Sequence, residues 1–185
     1  MRYPLVVILL ACACALGGAA AGARANGSPD PPPQPDAKAE SGPTQAERQL
    51  LIDRYRHRTW HWQRVMGRPV TVTLQHPPLR PEAKIRIWKQ VAARTQYVAS
   101  HPPHARAWGC FHRYEGSWTD GGAPYYGGLQ MDLGFQQSYG RALYVRKGTA
   151  NHWSPLEQMW VAERALRAGR GFYPWPNTAR YCGLV

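Results

Sequence analysis

The chain has 185 residues, of which 44% are hydrophobic, and it carries 23 Lys and Arg against 11 Asp and Glu, a formal net charge of +12. That length holds one ordinary domain with extensions and excludes two of full size, while the apolar content excludes a chain too polar to build a core. The positive balance implies an anionic partner but not which one, because a merely soluble cationic surface has the same signature.

Residues 1–25, MRYPLVVILLACACALGGAAAGARA, join Arg2 to an apolar run from Leu5 through Leu16 and end in Ala-Arg-Ala. This is the pattern of a secretory signal peptide cleaved near Ala23 or Ala25. The run of about 12 strongly apolar residues is shorter than the roughly 20 that span a bilayer. Leu-Leu-Ala-Cys at 9–12 is a minor, lipoprotein-like alternative. The expected mature protein is secreted, and loss of Arg2 and Arg24 leaves 21 basic and 11 acidic residues, or +10. Residues 26–43, NGSPDPPPQPDAKAESGP, are proline-rich and polar and read as a disordered or polyproline linker.

From Thr44 to about Gly67 the pattern is helical, with Thr44 and Glu47 at capping-box spacing and Leu50, Leu51, Tyr55, Trp62, Val65 and Met66 on one side. A short extended segment, Val70 to Leu74, leads into His76-Pro77-Pro78. A second helix spans Pro81 to Ala99, with Ile85, Ile87, Trp88, Val91, Ala92 and Val98 inward and Lys84, Arg86, Lys89 and Arg94 outward. Core packing is the commoner use of such aromatics and is preferred here to a binding surface. His101-Pro102-Pro103-His104 divides this helical region, residues 44–100, from residues 101–185.

Beyond the break, Ala105 to Tyr114 reads as a helix that brings Glu115 near its C-terminal end. Turns follow through Asp120-Gly121-Gly122-Ala123-Pro124, then a short hairpin over Tyr125 to Met131, and another helix from about Asp132. Ser154 to Ala168 is a further helix: Ser154 caps it, Pro155 takes the first position, and Glu157 completes a capping box. Phe172-Tyr173-Pro174-Trp175-Pro176 packs the end of the chain.

Glu115 carries the chemistry of greatest interest. Tyr114 and Trp118 flank it in sequence, and apolar rings around a carboxylate disfavour its charged form, the condition an acid catalyst of glycosidic cleavage needs. The ordinary alternative is a surface helix residue. Asp120 and Asp132 are the nearest second carboxylates, and both fit turn or helix-cap roles better. Cys12 and Cys14 leave with the leader, so Cys110 and Cys182 remain, and outside the cytoplasm two cysteines suggest one disulfide, with two buried thiols as the alternative. The seven histidines are scattered without metal-site spacing, and no metal or cofactor is expected.

Glu115 to Met131, the helix holding Glu157-Gln158-Met159, and the ending Trp175-Pro176 with Cys182-Gly183-Leu184 together resemble the transglycosylase-like domain of actinobacterial resuscitation-promoting factors. The resemblance covers roughly residues 105–185 and is most specific at Tyr125-Tyr126-Gly127-Gly128-Leu129-Gln130 and Val161-Ala162-Glu163-Arg164. It implies a mainly α, α+β lysozyme-like fold with a short β-hairpin and cleavage of peptidoglycan. By that resemblance Glu115 is the catalytic acid, Tyr126, Gly127, Gly128 and Gln130 shape the substrate groove beside it, and Cys110 pairs with Cys182; Trp118, Tyr125 and Tyr126 are candidates to stack on sugar faces, with core packing as the alternative for one or two of them. Two spacings depart from the family: its cysteine directly precedes the glutamate, whereas Cys110 lies five positions before Glu115, and only Gly116-Ser117 separate Glu115 from Trp118.

The function expected from this is a secreted, wall-associated, monomeric enzyme acting on the MurNAc–GlcNAc bond of peptidoglycan glycan strands, as a lytic transglycosylase or muramidase. A non-catalytic module that binds wall glycan or other wall polymers is the alternative. Nothing in the chain resembles a nucleic-acid-reading motif, so a specific nucleic-acid partner is not expected.

Overall fold

The computed structural model describes residues 42–72 and 79–185. The expected leader, the expected linker up to residue 41, and the end of the extended segment with His76-Pro77-Pro78 lie outside the described residues. What is described is mainly helical: α1 (Gln45–Val65), α2 (Pro81–Ala99), α3 (Ala105–Glu115), the strands β1 (Tyr125–Tyr126) and β2 (Met131–Asp132), α4 (Leu133–Lys147), α5 (Pro155–Ala165) and α6 (Pro176–Tyr181). The strands form one antiparallel pair in which Tyr125 faces Asp132 and Tyr126 faces Met131.

α1 begins where its capping box lies. Glu47 N–H donates to Thr44 Oγ1 at 3.3 Å, and the Glu47 carboxylate accepts from Thr44 N–H at 2.7 Å, so two otherwise orphaned donors are satisfied. Its buried residues are Ile52, Thr59 and Val65. Leu50, expected inside, is 68% exposed, since it stands two residues, or about 200°, around the helix from Ile52. Thr59 tolerates complete burial because its hydroxyl donates to Tyr55 O at 2.8 Å.

α2 packs along α1. Arg48 pairs with Glu82 at 3.2 Å, which joins the two N-terminal ends, and the C-terminal residues Val65, Met66 and Ala99 all enter the same core. The helices therefore run in the same sense, and the described residues after α1 fold back against it as far as Thr71. Trp60 and Gln63 hold that return: the Trp60 indole donates to Thr71 O at 2.5 Å, and Gln63 exchanges two bonds of 2.9 Å with Thr71. Residues 44–100 thus share one core with residues 101–185, and Ser41–Val185 form one compact unit.

α5 is the axis of that core. Seven of its residues are buried, among them Trp160, Val161, Ala162 and Ala165, and also Glu157, Gln158 and Glu163. Burying two carboxylates and an amide is costly unless each is partnered. Each partner is a different surrounding segment. Glu157 accepts two bonds from Lys147 at the end of α4, at 2.7 and 2.8 Å, and one from Ser154 N–H at 2.8 Å. Glu163 accepts from His104 N–H at 2.7 Å and from the Trp108 indole at 2.9 Å, which fixes the start of α3. Gln158 donates to the carbonyls of Trp118, Ala150 and Trp153 at 2.8, 2.9 and 3.1 Å. The polar groups of α5 therefore orient the elements that the apolar groups pack.

Candidate active site

α3 aims Glu115 by simple periodicity. Trp108 and Phe111 are its fully buried residues, and Glu115 follows at seven and four positions, on the same face. The two aromatics pack on each other and each on Phe172 and Trp175, at ring-centroid distances of 5.4–5.6 Å. Glu115 is the last helical residue on that face, where the core ends and a groove opens. Gly116 then breaks the helix at φ +143, a conformation that only glycine adopts without strain.

α6 supplies the other wall. Cys110 and Cys182 form a disulfide with Cα atoms 6.1 Å apart, closing a loop of 72 residues. Beyond that bond α3 and α6 run in opposite senses: Tyr114 packs on Tyr181, and Thr178, four residues before Cys182, reaches Glu115, five residues after Cys110. The Thr178 hydroxyl donates to Glu115 Oε1. Oε2 takes no protein hydrogen bond among the described residues.

Glu115, Tyr125, Gln130, Trp175, Asn177 and Thr178, with Pro174 and Pro176, line an open groove of about 260 Å³. The hairpin enters this groove through its turn. Gln130 N–H donates to Gly127 O at 3.0 Å, and Gln130 itself sits at φ +45, rare for a residue with a side chain. That twist is held by the Gln130 amide, which donates to Gly127 O at 3.0 Å and to Asp120 Oδ2 at 2.9 Å. Local strain secured by side-chain bonds is a common property of functional sites.

The expected site residues divide into two groups. Glu115, Tyr125 and Gln130 come together in the groove. Trp118, Tyr126, Gly127 and Gly128 do not line that groove. Trp118 stacks face to face on His112 at 4.2 Å, so that face is spent, and Tyr126 packs against the core. Gly127 and Gly128 are buried and make room: a Cβ on Gly127 would lie 2.5 Å from Gln158 Oε1, and one on Gly128 would lie 2.7 Å from both His112 and Trp118.

The idea of rings enclosing Glu115 needs correction. Tyr114 is 60% exposed against Tyr181, and Trp118 lies against His112, because residues adjacent along a helix and its following turn point away from one another. The aromatic contribution to the groove comes from Tyr125 and Trp175 instead. Of the other carboxylates, Asp132 caps α4 by accepting from Phe135 N–H at 2.6 Å. Asp120 spends Oδ1 on Gly122 N–H at 3.0 Å and Oδ2 on Gln130.

Asn177 and Thr178 were not singled out by sequence reasoning. Their signal lies in the cysteines: once Cys110 is paired with Cys182, the residue one turn before Cys182 becomes a neighbour of the residue one turn after Cys110. Comparison of the chain with protein-family models, with curated proteins and with solved structures finds no match.

Proposed function

We propose that this chain is a secreted peptidoglycan-cleaving enzyme that breaks the β-1,4 MurNAc–GlcNAc bond with Glu115 as its single acid and base, on a lysozyme-like fold similar to that of resuscitation-promoting factors. The observation that carries this reading is the setting of Glu115: a carboxylate at the end of an aromatic core, in an open groove, with one oxygen held by Thr178. Polar side chains converging with aromatic surface in a concave site suit a sugar polymer.

In the proposed reaction Glu115, in its acid form, gives its proton to the glycosidic oxygen as the bond from that oxygen to C1 of MurNAc breaks. The Glu115 carboxylate then takes the proton of the MurNAc C6 hydroxyl while O6 bonds to C1. The product is a 1,6-anhydro sugar, no water is consumed, and Glu115 ends protonated as it began. The bond from Thr178 fixes the rotamer of the carboxylate through both proton transfers, which is where positioning contributes to rate. Gln130 and Asn177 present amides at the groove for sugar hydroxyl or N-acetyl groups.

A single carboxylate is favoured over a hydrolytic pair because the nearest alternative is occupied. Hydrolysis by inversion needs a second carboxylate free to activate water. Asp120 has both oxygens engaged by Gly122 and Gln130. The test is release of soluble muropeptides from purified peptidoglycan by the mature protein and by Glu115→Gln. Release by the wild type alone supports the enzyme; wall binding by both without release would show a glycan-binding module instead.

A further inference from the structure

Two tyrosines stand together on the surface beside the groove. Tyr114 directly precedes Glu115 in α3, and Tyr181 is the last residue of α6, one turn after Thr178. Their ring centroids are 5.6 Å apart, and their planes are inclined by 31°. Tyr114 is 60% exposed and Tyr181 70%. Exposed apolar side chains scattered singly are ordinary, whereas two large rings held against each other in water form a patch.

Joining the helices does not account for this pair. α3 and α6 are already linked by the Cys110–Cys182 bond and by the contact of Thr178 with Glu115. Trp108 and Phe111 anchor α3 in the core and Ala179 anchors α6, all three fully buried, and neither Tyr114 nor Tyr181 belongs to that cluster. With most of each ring in water, the apolar burial they contribute is small.

Position along α6 connects the pair to the groove. Asn177 and Thr178 line the groove, and Tyr181 follows them at four and three positions, the spacing that makes helix side chains neighbours on one face. Tyr181 is therefore the next step along α6 beyond the groove, and Tyr114 meets it from α3. The groove is itself partly aromatic, through Tyr125 and Trp175. A strand that leaves the groove along α6 passes from one aromatic surface to another.

We propose that Tyr114 and Tyr181 form a second sugar subsite, which binds a pyranose ring of the same glycan strand away from the bond to be cleaved. The proposal rests on the glycan reading of the groove. The two surfaces are alike in character. A β-1,4-linked pyranose with equatorial substituents presents flat faces of C–H bonds and a rim of hydroxyls, and a tyrosine presents a flat apolar face with one hydroxyl at its edge. Stacking the faces takes apolar surface of both partners out of water. Neither tyrosine hydroxyl has a protein hydrogen bond among the described residues, so both are open to the sugar rim. Binding at this distance from the reacting bond keeps the strand in register with Glu115 and lowers KM rather than raising kcat.

The test is calorimetric titration of Glu115→Gln, chosen so that the strand stays whole, with peptide-free MurNAc–GlcNAc di-, tetra- and octasaccharides. Affinity should rise at the length that reaches the rings. Tyr114→Ala and Tyr181→Ala in the same background should each remove that rise, a loss of roughly 3- to 10-fold for the octasaccharide, and leave the disaccharide within about twofold. Tyr181→Phe keeps the ring and should retain most of the gain, and Tyr97→Ala, at a 68% exposed tyrosine of α2, should change nothing. Equal affinity at all three lengths would overturn the subsite. So would octasaccharide binding unaffected by both alanine substitutions, or a loss that falls equally on the disaccharide. Absence of binding at every length would instead refute the glycan reading of the groove, and the subsite with it.

Discussion

The hydroxyl of Thr178, in α6, donates to Oε1 of Glu115, at the end of α3, across a separation of 63 residues. The contact exists because a disulfide joins the same two helices one turn away. Catalysis in the proposed reaction depends on it, since a free glutamate at a helix end would sample several rotamers and only some would point a proton at the substrate.

Replacing Thr178 with Val keeps its shape and removes the donor. A hydrogen bond to a charged group contributes about 1.5–3 kcal/mol, so kcat should fall roughly 10- to 100-fold with KM little changed. Thr178→Ser should recover most of the loss. Steady-state kinetics on a soluble glycan substrate would check this, and equal activity in Thr178→Val would remove Thr178 from the mechanism.

Reduction of the Cys110–Cys182 bond should cost both stability and activity. A cross-link closing 72 residues is worth on the order of 4 kcal/mol by the chain-entropy model, or about 10 °C in melting temperature for a chain of this size. Cys182→Ser and reductant should shift the calorimetric transition alike. Activity should fall further than stability alone requires, because α6 also carries Thr178.

Stability should fall on acidification in two stages. Burial and the cations Arg146, Lys147 and Arg64 push His61 below its ordinary value, against the attraction of Glu157. The unfolded state then takes up a proton first, so stability is lost as pH drops below about 6.5. Burial would raise Glu157, but its bonds from Lys147 and Ser154 outweigh that and hold it below the usual carboxylate value. Its contribution is present above the unfolded value of 4.5 and is lost as pH falls through the lower folded value. Melting temperatures across pH 3–8 should show both steps, and His61→Gln should erase the upper one.

Gly128 separates a role behind the groove from one inside it. A Cβ there meets His112 and Trp118 at 2.7 Å, so Gly128→Ala must displace the ring stack. Overpacking of this kind costs about 1–3 kcal/mol. Urea denaturation should show that loss, whereas Tyr125→Ala, at a half-exposed groove residue, should leave stability nearly unchanged and raise KM.

Much of this architecture could be read from local chemistry. Both capping boxes, Thr44 with Glu47 and Ser154 with Glu157, sit where their spacing placed them, because a cap is satisfied within four residues. The hairpin was legible for a similar reason, whereas Cys110 and Cys182, 72 residues apart, were legible because only two cysteines lie outside the expected leader. What escaped depends on long-range packing. Leu50 and Ile52 are equally apolar, and only contact with α2 and the core decides which turns inward. Trp118 and Tyr126 are near Glu115 in sequence, yet each found a partner elsewhere, in His112 and in the core. Thr178 looks ordinary until α6 is laid against α3. The lysozyme-like character of the fold rests on resemblance, while the mainly helical body with one small hairpin stands on the structure itself.

The central claim is that Glu115 alone acts as acid and base. The most direct measurement is mass spectrometry of the soluble products released from purified peptidoglycan by the wild-type protein and by Glu115→Gln. Products ending in 1,6-anhydroMurNAc from the wild type, and none from Glu115→Gln, are expected. Reducing-end products would contradict the single-carboxylate mechanism, and undiminished release by Glu115→Gln would contradict the assignment of Glu115 itself.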